Sequence, residues 1–128
     1  MSAAAGVLLV LEDAPGRLER IRAAAPPHLT VRAFDRVAGL VAWLEASCGP
    51  PALITLDYHL ASRAHGTGLD AALFLAGLPA PLCPVLVHTS DTAAAGDVVE
   101  LLRGRGWRVE ASPFEGGGWA SAARRLLS

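Results

Sequence analysis

The stretch Val7-Leu8-Leu9-Val10-Leu11, closed by Glu12-Asp13, decides the fold. A short, continuous apolar run ending in acids suits a strand buried on both faces, as in a parallel sheet covered by helices. The period then changes. From Ala14 to Ala25 the pattern is helical: Pro15 sits in the first turn, Leu18 and Ile21 share a face, and Arg17, Glu19, Arg20 and Arg22 lie elsewhere, until Pro26-Pro27 stops the run.

The same unit recurs down the chain. Leu29 to Phe34 alternates apolar and polar residues and reads as a half-exposed strand near a sheet edge; Asp35 is then expected to cap a helix reaching about Ser47, buried along Val37, Leu40, Val41 and Leu44. Ala52 to Leu56 is a third strand, again ending at an acid, Asp57, and a polar loop from Tyr58 to Gly68 leads to a helix from about Leu69 to Leu78. A fourth strand, Val85 to His88, passes through Thr89-Ser90-Asp91 into a helix ending near Arg103-Gly104. Trp107 to Ala111 is a fifth strand, and a last helix runs from about Gly118 to Leu127. The alternation predicts an α/β, (βα)5 architecture: one domain over residues 1–128, with its core at about 6–127, and a five-stranded parallel sheet with helices on both faces.

Composition narrows the chemistry. Of 128 residues, 52% are apolar and the formal charge is −1; all 11 basic residues are Arg, and the chain contains no Lys, Asn or Gln. A lysine Schiff base, a P-loop lysine and a lysine general base are therefore excluded. Near-neutral charge leaves no basic footprint for nucleic acid, and the longest apolar run is far too short to cross a bilayer. With no basic residue opening a secretory signal, the expected location is the cytosol. Cys48 and Cys83 lack CxxC spacing and are expected to be buried, reduced thiols.

In sheets of this kind ligands bind beyond the C-terminal strand ends, where strand order reverses. Glu12 and Asp13, Asp57, His88 with Thr89 and Ser90, and Ser112 with Pro113 gather at those ends from distant parts of the chain. Three adjacent carboxylates repel one another unless neutralised, so Glu12, Asp13 and Asp57 are the expected shell of a hard divalent cation, Mg2+ or Mn2+. Any one of them alone could be a helix cap; capping does not explain acids on two separate turns. A carboxylate beside such a metal can also act as a nucleophile towards phosphorus.

This constellation resembles the receiver domain of two-component response regulators along the whole chain. The resemblance implies a flavodoxin-like sheet of order 2-1-3-4-5, Mg2+ on Glu12 and Asp13, a phosphoryl group accepted by Asp57 and contacted by Thr89, and a histidine kinase or small phosphodonor as partner. Receivers also carry a Lys before a Pro after the fifth strand; Ser112 stands there, before Pro113. Leu56-Asp-Tyr-His-Leu60, Gly66-Thr-Gly-Leu-Asp70 and His88-Thr-Ser-Asp91 are more closely similar to the cyclic-phosphate-processing receivers, with Tyr58, His59 and Asp91 as departures.

That second resemblance implies a site that processes or senses cyclic phosphates, a metal-dependent phosphoesterase or phosphoryl-transfer chemistry. Asp57 and His88 would be its catalytic pair, with Thr89, Ser90, Ser112, Gly66 and Gly68 around the phosphate and His59 and His65 as accessory groups. The alternatives are a phospho-accepting signalling module and a degenerate receiver that only binds a partner. Gly66 to Ala71 fits a dinucleotide string but lies too far beyond its strand, and His28 sits at the opposite strand end from His88.

Overall fold

The computed structural model describes residues 6–114 and 117–128. Parallel strands β1 (Val7–Leu11), β2 (Thr30–Phe34), β3 (Leu53–Asp57), β4 (Val85–His88) and β5 (Val109–Ala111) form one sheet of order β2-β1-β3-β4-β5. They alternate with α1 (Pro15–Ala24), α2 (Val37–Ala46), α3 (Gly68–Ala76), α4 (Thr92–Arg103) and α5 (Gly118–Leu127), and a single 3-10 turn, Arg63–His65, lies between β3 and α3. The (βα)5 architecture and the strand order both agree with expectation.

The strand period of two separates two cores. Val7, Leu9 and Leu11, Ile54 and Leu56, and Val85 and Val87 pack beneath α2, α3 and α4 through Leu40, Leu75 and Val98. Leu8, Val10, Leu53 and Leu86 face the other way, against Ile21 of α1 and Trp119, Ala122 and Leu126 of α5. Continuing each alternation on that second face brings Glu12, just past β1, Thr55 and Asp57 of β3, and His88 of β4 towards the C-terminal edge. These four are the polar residues buried among the described residues.

Several local details differ from expectation. Asp35 does not cap α2: the N-cap residue is Arg36, without a side-chain cap, and Asp35 instead pairs with the Arg36 guanidinium at 3.3 Å. Asp57 is the last residue of β3 and pairs in register with His88, rather than following the strand. Trp107 precedes β5 and contributes its ring to the core, where burial rewards the apolar side chain without strand pairing. Cys48 is exposed and Cys83 half-buried; burial pushes the Cys83 thiol up to about 12, so it stays protonated.

Candidate functional site

At the C-terminal edge of β1, β3 and β4 a directional chain of hydrogen bonds crosses the sheet face. The Trp119 indole can only donate, and its Nε1–H reaches Thr55 Oγ1 at 3.0 Å. Thr55 Oγ1 lies 2.7 Å from His88 Nδ1, and His88 Nε2 lies 3.0 Å from Glu12 Oε1. Burial pushes His88 below its ordinary value despite the Glu12 contact, so the ring is neutral at pH 7. For Glu12, burial raises the carboxyl, but the bonds from His88 and the Ala14 amide and the charge of Arg17 outweigh it and hold the group low. An ionised Glu12 only accepts, which puts the single imidazole proton on Nε2 and makes Nδ1 the acceptor of the Thr55 hydroxyl. Trp119, Thr55 and His88 therefore donate in sequence, each to the next, and Glu12 accepts at the end of the chain.

Asp57 lies beside this chain with only 2% of its surface exposed. Burial and the charge of Glu12 push its carboxyl up to about 7, and Arg17 opposes them. Arg17, in the first turn of α1 and one turn before buried Ile21, spans both acids: its Nε is 3.2 Å from Glu12 Oε1 and its Nη2 3.4 Å from Asp57 Oδ2. A cation from α1 thus reaches both acids. No metal or imidazolium is needed to explain how Glu12 and Asp57 coexist.

Glu12, Asp57 and His88 each offer a ligand atom within 4.8 Å of the others, a group that could hold a metal ion. Two carboxylates suit Mg2+ or Mn2+, and His88 would add an imidazole nitrogen only on giving up its proton and its bond to Glu12. The donor set fits a divalent cation.

Asp13 differs from its expected place in that shell. Its Oδ2 accepts from the Ala61 amide and lies 3.2 Å from His65 Nδ1, so it ties the β3–α3 loop to the end of β1. His65 is thereby beside an acid of the site, whereas His59 lies on the surface, 2.9 Å from Asp91. Asp91 caps α4 by accepting from the Ala94 amide, and that bond together with His59 holds its carboxyl below the usual range. His28 is exposed at the opposite edge, as expected.

The residues expected around a phosphate are distributed as follows. Thr89 Oγ1 accepts from the Asp91 amide at 3.1 Å, Ser90 is exposed, and the Ser112 hydroxyl donates to Pro113 O at 3.3 Å. Thr89 and Ser112 face a shallow groove between α4 and β5. Gly66 has φ +81°, in the left-handed region that glycine favours. Gly68 donates its amide to Tyr58 O at 2.9 Å, and a Cβ there would stand 2.8 Å from Asp57 O and Tyr58 Cα. Thr67 between them forms a reciprocal capping box with Asp70 at the start of α3. The Gly-Thr-Gly string thus seats α3 directly on the backbone of the acidic strand end.

Sequence reasoning missed Arg17, Thr55 and Trp119. Thr55 carried a signal as the one polar residue inside Leu53-Ile-Thr-Leu56, two residues before Asp57. Arg17 carried one by standing four residues before Ile21 on the helix face that meets the sheet.

No family model matches the chain, and no curated protein matches it by sequence. Among solved structures, it is similar to the signal receiver domain of a signal transduction histidine kinase from Syntrophus aciditrophicus, with 24% identity over 96% of this chain and 90% of that one and a TM-score of 0.68. It is also similar to the bacteriophytochrome response regulator RtBRR, with 24% identity over 94% of this chain and 76% of that one and a TM-score of 0.63. These likenesses, spanning nearly the whole chain, establish that it has the fold of receiver domains.

Proposed function

We propose that the chain is a phosphoryl-accepting receiver module of two-component type, with Asp57 as the acceptor and a cytosolic histidine kinase or small phosphodonor as the source. The observation that carries this is the position of Asp57: a buried carboxylate ending the central strand of a receiver-fold sheet, with Glu12 and a guanidinium beside it.

In the transfer, an ionised Asp57 oxygen attacks phosphorus. The new O–P bond forms as the bond from phosphorus to the donor's leaving group breaks, and the leaving group keeps the electron pair. Hydrolysis of the acyl phosphate by water returns the carboxylate and inorganic phosphate. A divalent cation, when bound on Glu12 and Asp57 with His88 alongside, supplies charge neutralisation at the phosphoryl oxygens. Arg17 favours the ionised Asp57 carboxylate in the metal-free pocket. His88 positions Glu12: both its ring nitrogens are engaged inside the protein.

This reading is preferred to cyclic-phosphate processing because Gly66, Thr67 and Gly68 have structural duties at the start of α3 and His88 faces Glu12 from the interior. Incubation with a small amido or acyl phosphate and Mg2+, followed by intact-mass measurement, tests it. One added phosphoryl group, lost in Asp57→Asn, is the expected result. No adduct from any donor would leave a module that acts through binding alone.

A further inference from the structure

Arg17 holds the two acids from outside. Its side chain is 36% exposed, against 0% for Glu12 and 3% for Asp57, so it is the outermost of the three. The grip is imperfect: its Nε is buried without an aligned hydrogen-bond acceptor, although Glu12 Oε1 is only 3.2 Å away. Charge and one long hydrogen bond, from Nη2 to Asp57 Oδ2 at 3.4 Å, keep it there in place of the paired hydrogen bonds of a well-seated arginine and carboxylate. Its place in the first turn of α1 also opposes the helix dipole, which disfavours a cation at that end. The acids are what retain it.

A divalent ion held by the same two carboxylates would sit about 2.0–2.6 Å from their oxygens. That space adjoins the guanidinium, and two cations so close together repel. We propose that the Arg17 guanidinium and a divalent cation are alternative occupants of the space between Glu12 and Asp57, Arg17 being the resident one and swinging into solvent as the metal enters. This deepens the reading of the pocket as a cation-holding phosphoryl site and rests on it. The exchange uncovers Asp57 as the metal arrives, so access of a phosphodonor is coupled to metal binding. Without metal, Arg17 keeps the acidic pocket neutralised and closed.

The test is a Mn2+ titration of metal-free protein at fixed pH, counting free Mn2+ by electron paramagnetic resonance, on wild type, Arg17→Met and Arg17→Gln. Both variants are expected to bind one Mn2+ at least tenfold tighter than wild type. In chelator both should melt below wild type, and saturating Mn2+ should close the gap. A variant unfolded in chelator should fold when Mn2+ is added. Equal Mn2+ affinity in all three proteins, or binding to none, would overturn the exchange. A phosphoryl adduct on Asp57 alongside equal affinities would remove only this role of Arg17. Tighter Mn2+ binding in the variants with no adduct on any protein would instead remove the acceptor reading.

Discussion

His88 donates its Nε2–H to Glu12 Oε1 over 3.0 Å, joining the ends of β4 and β1 across β3. The bond fixes the carboxylate that stands beside Asp57, and its own orientation is set from behind by the Thr55 hydroxyl and the Trp119 indole. A buried network satisfied in this way is stiff, and removing one member leaves its neighbours without partners in a place where water cannot replace it.

Thr55→Val keeps the shape of the side chain and removes the hydroxyl, leaving the Trp119 N–H and His88 Nδ1 unpaired. Each orphaned buried group costs about 1–3 kcal/mol. The expected loss of stability is about 2–4 kcal/mol, read by urea unfolding, while Thr55→Ser retains most of it.

The pH dependence follows from Asp57. Its carboxyl lies near 7 in the folded protein against 3.8 ordinarily, because of burial and Glu12. Between those values the folded state holds a proton that the unfolded chain has released, so this group makes stability fall as pH rises from about 4 to about 7 and adds no further slope above. Subtracting the urea-unfolding profile of Asp57→Asn from that of wild type, both in chelator, should give that falling limb. A flat difference would show that Asp57 ionises normally.

Gly68→Ala places a methyl 2.8 Å from the backbone of Asp57 and Tyr58, where no flexible side chain can yield. A cost of about 1–3 kcal/mol is expected from the overpacking, with slower phosphoryl uptake because Asp57 itself is displaced. Thermal melts and the initial rate of adduct formation measure the two effects.

Asp91→Ala removes the side-chain cap of α4 and the partner of His59. Loss of the cap should cost about 1 kcal/mol, seen in urea unfolding, and leave Mn2+ affinity unchanged, since neither residue belongs to the group formed by Glu12, Asp57 and His88.

Much of this was legible in the chain. Largely apolar runs closed by acids, at Glu12 and at Asp57, give buried parallel strands, and proline and glycine breaks bound the helices between them. The alternation that buries Leu8 and Val10 also sends Glu12 to the α1–α5 face, as it sends Asp57 after Leu53 and His88 after Leu86. Arg17 was hidden because its partners are fixed by tertiary packing: its spacing to Ile21 puts it on the inner face of α1, but only the seating of α1 over β1 and β3 brings it to the acids. Thr55 and Trp119 were hidden for a related reason, because each looks like ordinary core until its polar atom is seen to need a partner. The sequence offers Ser112 where the resemblance expects a cation, and a cation instead reaches the acids from α1.

Trapping the acyl phosphate tests the central claim most directly. After reaction with a small phosphodonor and Mg2+, borohydride reduction converts a phosphorylated aspartate to homoserine, which peptide mass spectrometry locates. Homoserine at position 57 is the predicted result. Its absence there, or its appearance at another acid, would contradict the assignment of Asp57 as the acceptor.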